Sequence, residues 1–449
     1  MKDKITYKEI LACLIAVLIL VGVFFLGFFT RSWTSPQSVN SYEWVVNLIK
    51  NNYFMDIDDE DILNATIDQI SQNFFDDYSR YYTAEEYREI KASNLGSKRG
   101  LGIGKEYIPG RGILVSYVVG NSPAYKAGIK KGMIITSAQS SKGTKSFVYD
   151  DDFAEYIDAL DDNEEVLLNV SIPSSPSSSD TTSLQFRLAP QKYSATYCYM
   201  ATNQSTWAYG DRHLLFENTD EKMTFLPDKV AYINISQFYG NAGAEFGGLI
   251  EKFNELECES LILDLRGNGG GYVNTMLDVA GYCTSAINKI SPYGMIAEHR
   301  NKTENYIIPE YTISDKLLKD ETEVYIMANM DTASASEALM GVLIDNAVTS
   351  YDHVYLSSYT QPYLDYLTAV GVGTAKNGKT YGKGVMQTTY VKPDTGEALK
   401  LTTARIKWPL GRCINGVGIT ADDGCNLVSA DWSVTYYDEE LKSVVDAIF

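Results

Sequence analysis

Polarity along the chain follows several distinct patterns. Residues 10–29 carry no charge and are almost wholly apolar, and about twenty such positions are enough for a helix to cross a bilayer. Between residues 41 and 94 apolar side chains recur at helical spacing, first Val45, Val46, Leu48 and Ile49, then Ile62, Ile67 and Ile70. Asp76-Asp-Tyr-Ser-Arg-Tyr-Tyr-Thr83 reads as a turn, and Thr83 with Glu86 forms a capping box for the next helix. From Gly96 the pattern changes to short strands separated by glycines, with a helix over residues 153–160 and a Ser/Pro-rich loop at 173–183. Beyond Lys192 a β/α region begins. Residues 230–236, 260–265 and 324–328 are predicted strands, the last two largely apolar and hence buried, and residues 242–256 a helix. After the third strand, Leu339, Val342 and Leu343 recur at helical spacing, so the chain turns from strand to helix around Ser334 and Ser336.

Composition narrows the class of protein. With 449 residues the chain has room for two or three domains. The net charge of −20 argues against nucleic acid or an anionic membrane surface as the main partner. Lys2, Lys4 and Lys8 precede the apolar run and Arg31 follows it, which orients an uncleaved anchor with its N-terminus in the cytoplasm. A cleaved signal peptide is the competing reading, against which stand the length of the run and the lack of an Ala-x-Ala site. Cys413 and Cys425 are candidates for a disulfide in an oxidising compartment. The three histidines, His213, His299 and His353, lack metal-ligand spacing, so neither a metal nor another cofactor is expected.

Candidate chemistry centres on Ser334. Ala333 and Ala335 leave room around its hydroxyl, and a serine at a strand-to-helix turn lies near free helix N–H groups that favour developing negative charge. Ser334-x-x-Glu337 is equally a capping box, which needs no chemistry. Arg266-Gly-Asn-Gly-Gly-Gly271 follows a strand, and its glycines would let backbone N–H groups face a cavity. A tight turn explains it as well. A serine nucleophile needs a base. Lys383 lies between two glycines, with Gln387 four residues on and on the same face of a strand, where its amide would orient the amine. A lysine at its ordinary pKa is neutral only about once in 2,500 molecules at pH 7, so this one must be desolvated to serve.

The segment from Gly100-Leu-Gly-Ile-Gly104 to residue 188 resembles a PDZ domain in the order of its strands and helices, with Met133 where that family usually has Asp. The resemblance implies that Gly100, Leu101, Gly102, Ile103 and Gly104 offer N–H groups to the C-terminal carboxylate of a peptide that adds as a strand. Together with Leu263-Asp-Leu-Arg-Gly-Asn-Gly-Gly-Gly271, Thr332-Ala-Ser-Ala-Ser-Glu337, Asp345 and Tyr381-Gly-Lys-Gly384 with Gln387, the chain resembles the carboxy-terminal processing peptidases, or tail-specific proteases. That resemblance implies a Ser–Lys endopeptidase in which Ser334 is the nucleophile, Lys383 the general base and Gln387 its orienting partner. It also implies an oxyanion hole from the N–H groups of Ala335 and of Gly270 or Gly271. Asp345, about three helical turns from Ser334, is read as structural.

The expected architecture is a multi-domain α/β protein: an anchor over 1–33, a helical region over 34–95, a PDZ-like domain over 96–192 and a peptidase core of the tail-specific protease type over 193–449. A tyrosine-rich insertion at about 349–366 is expected as a lid or partner surface. Expected partners are protein or peptide substrates held by their C-termini and the membrane, with an oligomer compatible, and the catalytic part on the extracytoplasmic side. Two rivals stand beside this reading: an anchored PDZ scaffold with an inert core, and a Ser–His hydrolase using His353.

Overall fold

The computed structural model describes residues 42, 44–47, 59–108, 110–130, 132–147, 150–173, 181–210, 213–219, 222–284, 295–300, 305–310, 315–361, 364–365, 377–430 and 439–449. The chain divides into two compact units, Met1–Asp77 and Tyr78–Phe449. The apolar run at 10–29 lies outside the described residues, and among those described no helix is long and apolar enough to cross a membrane. In the first unit the principal described element is the helix Asp59–Phe74.

The second unit is built on an eight-stranded sheet in the spatial order 213–218, 206–210, 198–201, 230–235, 260–264, 323–328, 354–359 and 426–430. The first three strands and their junction to Val230–Ile235 are antiparallel, and from there on every pairing is parallel. Alternation along the strands separates two cores. Leu261 and Leu263, with Val324 and Ile326, join the core under the helices Ala242–Glu255, Val273–Cys283 and Ala335–Asp345. Ile262, Tyr325 and Met327 face the other way, against Leu441, Val444 and Val445 of the helix Glu439–Ile448. Parallel strands covered on both faces must be apolar almost throughout, which is why 260–264 is buried at every position.

One sequence expectation is corrected here. Val354–Tyr359, assigned to a lid-like insertion, is a strand of this sheet between 323–328 and 426–430, with Val354 and Leu356 fully buried. Its tyrosines and serines suggest a surface segment, but every second residue is apolar or small and faces the core. Asn346, Ser350 and His353 belong to the short connection before it.

Two smaller parts flank the sheet. Ser97–Gly100 and Gln191–Ser194 pair as a two-stranded ribbon, and between them a six-stranded sheet packs Ile113, Val115, Ile135 and Leu168 against Phe153 and Ile157 of the helix Asp150–Asp158. Ile103–Ile108 lies at the edge of that sheet. A separate five-stranded sheet joins Arg80–Tyr82, Val385–Val391 and Met295–Arg300 to Ala398–Lys407. The turn expected at 76–83 thus includes a short strand, and the capping box forms as expected, with the Thr83 N–H donating to Glu86 Oε2 at 2.8 Å.

Candidate active site

The C-terminal ends of parallel strands are where open α/β sheets place their sites. Ser260–Asp264 leads into the glycine loop, and Glu323–Ala328 leads through Asn329 to Ser334. Ser334 stands immediately before its helix with φ 59° and ψ −115°. A positive φ in a residue with a Cβ is strained, and such strain persists only where the surroundings enforce it. The enforcement comes from buried side chains. Asn268, fully buried, accepts the Gly270 N–H on its side chain (2.9 Å), while its carbonyl accepts the Ala333 N–H (3.0 Å) and the Ser336 hydroxyl (2.8 Å). Asn329 Oδ1 accepts the N–H groups of Gly267 (2.9 Å) and Asp331 (3.1 Å), and Thr332 Oγ1 donates to the Leu265 carbonyl (2.8 Å). The serine turn and the glycine loop are thus one hydrogen-bonded body.

Glycine is required at two points of that loop. A Cβ on Gly270, whose φ is +102°, would fall 2.8 Å from Ser334 Cβ, and one on Gly271, whose φ is +148°, 2.4 Å from the Phe238 carbonyl oxygen. The two amides have different directions. The Gly270 N–H turns inward to Asn268, so it is not the donor the sequence allowed it to be. Phe238 donates to the Gly270 carbonyl (3.0 Å) and accepts from Tyr272 N (2.8 Å), and in an extended segment the intervening Gly271 amide faces the opposite side.

Glu337 is the residue whose importance the sequence concealed. Read as a helix cap, it does take the Ser334 N–H, on Oε2 at 3.0 Å. The same oxygen accepts the Lys383 N–H at 2.8 Å, and Oε1 accepts the Gly382 N–H (2.7 Å) and the Thr380 hydroxyl (2.6 Å). Two nitrogens within hydrogen-bond reach of one oxygen are at most about 6 Å apart, so the backbones of Ser334 and Lys383 are neighbours. The Glu337 carboxyl is fully buried, and burial pushes its pKa up while the four donors pull it down.

Lys383 is half-buried, just ahead of the strand Val385–Val391, with Nζ 4.3 Å from the centroid of the Tyr78 ring. Gln387 is separated from it by a register shift after Met386, which breaks the simple strand alternation, and its amide nitrogen donates to Thr402 Oγ1 at 3.1 Å. Asp345 accepts the Leu410 N–H at 2.8 Å, in keeping with a structural role. His353 stacks on Tyr325, ring centroids 4.4 Å apart, toward the N-terminal end of the strand that leads to Ser334. Three residues of strand, about 10 Å, separate Tyr325 from the end that carries the serine turn. Cys413 and Cys425 are both free thiols, and burial pushes that of Cys425 up to about 12. Among the described residues no cluster of His, Cys, Asp or Glu has the makings of a metal site.

In the smaller β module the Leu101 carbonyl accepts from Ala124 N and the Gly102 carbonyl from Val119 N, each at 2.9 Å. A planar trans peptide points its N–H opposite its carbonyl, so the Gly102 and Ile103 amides face away from these partners. Gly102 has φ +78°, and a Cβ there would overlap Ser122 Cβ at 2.1 Å. Met133, which stands where PDZ domains usually have Asp, accepts from Lys130 N on Sδ at 3.4 Å.

Residues 229–350 match Peptidase family S41. A carboxyl-terminal-processing protease of Picosynechococcus is 27% identical over 356 residues, 78% of this chain and 69% of that protein. A probable CtpA-like serine protease of Staphylococcus aureus is 24% identical over 389 residues, 87% of this chain and 65% of that protein. The chain therefore spans about two thirds of the length of these relatives. Among solved structures, a putative S41 protease from Bacteroides fragilis has the same fold, with a TM-score of 0.53 at 14% identity over 90% of this chain and 95% of that one. By these matches and by the motifs that frame Ser334, the chain is similar to the carboxyl-terminal processing serine proteases, and its residues 229–350 carry the match to Peptidase family S41.

Proposed function

We propose that the protein is a membrane-anchored serine endopeptidase that acts through a Ser334–Lys383 dyad on proteins recognised by their C-termini. The observation that carries the dyad is the sharing of Glu337 Oε2 by the backbone N–H groups of Ser334 and Lys383. In the reaction, neutral Lys383 takes the proton from Ser334 Oγ as Oγ attacks the scissile carbonyl carbon. The oxyanion is held by the Ala335 and Gly271 N–H groups, since the Gly270 N–H is engaged by Asn268. Collapse breaks the C–N bond, and the Lys383 ammonium gives its proton to the departing amine. Water, deprotonated by the same lysine, then hydrolyses the acyl ester and restores Ser334. Gln387 braces the base's strand against Ala398–Lys407.

The β module between 97 and 194 is the substrate-recognition part in this reading. Its edge strand Ile103–Ile108 would take a substrate C-terminus as an added strand, with the Gly102 and Ile103 amides toward the terminal carboxylate. The apolar run at 10–29 anchors the chain, with the peptidase outside the cytoplasmic membrane.

The test is cleavage of an unfolded protein with an apolar C-terminus by wild type, Ser334→Ala and Lys383→Ala. Loss of turnover in both variants, with folding retained, is the expected result. Turnover by Lys383→Ala would refute the dyad, and turnover by neither wild type nor variants would favour an inert scaffold.

A further inference from the structure

The Tyr78-Ser79 turn is the part of the sequence whose motif the proposed reaction leaves without a role. It lies beside the base. Arg80–Tyr82 pairs with residues 398–400 of the strand Ala398–Lys407, with Arg80 opposite Lys400 and Tyr82 opposite Ala398. Ser79 Oγ accepts the Thr402 N–H at 3.0 Å, and Thr402 Oγ1 accepts the Gln387 amide at 3.1 Å. One residue before its strand, the chain is thus fixed on Thr402, the residue that also braces Gln387. The outcome is that the Tyr78 ring face lies 4.3 Å from Lys383 Nζ, well inside the distance at which a ring attracts a cation.

We propose that Tyr78 is a positioning and charge-stabilising residue for the base: its ring holds the Lys383 side chain and stabilises the ammonium that forms when Ser334 Oγ loses its proton. This rests on Lys383 being the base. The chemistry gives the contact a direction. A neutral amine interacts weakly with the electron-rich face of an aromatic ring, whereas an ammonium is drawn to it. Proton transfer converts one into the other, so the interaction strengthens between the ground state and the transition state for acylation, and only such interactions raise kcat. The ring favours the ammonium in the resting enzyme as well. Rates are therefore compared on the alkaline plateau of the wild-type profile, where the resting lysine is neutral. A partly desolvated cation–π contact corresponds to roughly 2- to 30-fold in rate. Ser79 fixes the backbone of the turn independently of the ring, so changes at position 78 leave the anchor in place.

The experiment places phenylalanine and then progressively fluorinated phenylalanines at position 78 of the full chain. Fluorination drains the ring face of negative charge with little change of shape. Turnover of a peptide substrate and the rate of Ser334 labelling by a fluorophosphonate are both followed, with Tyr78→Leu and Lys383→Ala alongside. The expected result is near-wild-type kcat for Tyr78→Phe and a stepwise fall with each fluorine toward the level of Tyr78→Leu, within the 2- to 30-fold range, at constant KM. A flat series, or losses confined to KM, would overturn the proposal while the dyad stood. An active Lys383→Ala would remove the base reading itself, a distinct outcome that takes the proposal with it.

Discussion

Glu337→Gln isolates what joins the backbone of Ser334 to that of Lys383. The carboxylate receives four donors, two on each oxygen: Ser334 and Lys383 N–H on Oε2, Gly382 N–H and the Thr380 hydroxyl on Oε1. A glutamine has the same shape but presents an NH2 group in place of one oxygen. With its oxygen kept toward Ser334 and Lys383, the NH2 faces Gly382 N–H and Thr380 Oγ1. Thr380 adapts by accepting, but the Gly382 N–H is left buried without its acceptor. One such orphan costs about 1–3 kcal/mol, or roughly 2–12 °C in Tm for a domain of 150–250 residues. The consequence for chemistry is larger than for stability. Misplacement of a reacting group by about 1 Å can cost about a hundredfold, so kcat is expected to fall at least tenfold with KM little changed. The assay is steady-state peptide cleavage well below the variant's own Tm, with thermal denaturation run in parallel. Wild-type kcat in a folded Glu337→Gln would refute the argument. Glu337→Ala strands all four donors, a loss of roughly 4–12 kcal/mol against a total stability of about 5–15, and is expected not to fold.

Three further outcomes follow from the same geometry. Gly270→Ala would push a methyl to within 2.8 Å of Ser334 Cβ at a φ of +102°, and is expected to abolish fluorophosphonate labelling of Ser334. Glu440→Ala removes the carboxylate that Arg266 Nη1 meets at 2.8 Å, while the pairing of Arg266 with Asp264 stays in place. Thermal melts should show about 1–3 kcal/mol lost and kinetics a several-fold lower kcat, because Arg266 opens the glycine loop. Glu245, buried in the first turn of the helix Ala242–Glu255, has its carboxyl raised from the ordinary 4.5 to about 8 by burial, against the pull of the Tyr197 and Cys198 N–H groups. A raised folded pKa means stability that is complete below about 4.5 and is lost as pH rises through about 8. Denaturant titrations of Glu245→Gln should therefore lose less stability than wild type between those limits, and parallel curves would contradict it.

The sequence made some of this legible because local pattern and tertiary demand agree there. The strands 230–235, 260–264 and 323–328 are largely apolar because helices cover both faces of their sheet, and the glycine loop and serine turn are visible as departures from that pattern. Val354–Tyr359 was hidden because a strand next to the sheet's edge tolerates serine and tyrosine. Glu337 was hidden for a different reason. Its local role as a cap is real, and nothing in Ser-x-x-Glu announces that the same carboxylate also receives Gly382 and Lys383, some 46 residues away. Tyr78 was legible only as part of a turn, since its partner is placed by strand pairing across more than three hundred residues.

The Arg266–Glu440 pair bears on timing during synthesis. Arg266 stands at the mouth of the glycine loop, and the carboxylate that completes its pairing is 174 residues further along the chain. At about 5–20 residues per second, roughly 9–35 s pass between the emergence of one and of the other. By the end of that interval the glycine loop, Ser334 and Lys383 have all emerged, while the face of the sheet meant for Leu441, Val444 and Val445 is still bare. Covering of that face waits on the helix Glu439–Ile448, so the sheet that carries Ser334 is completed late in synthesis.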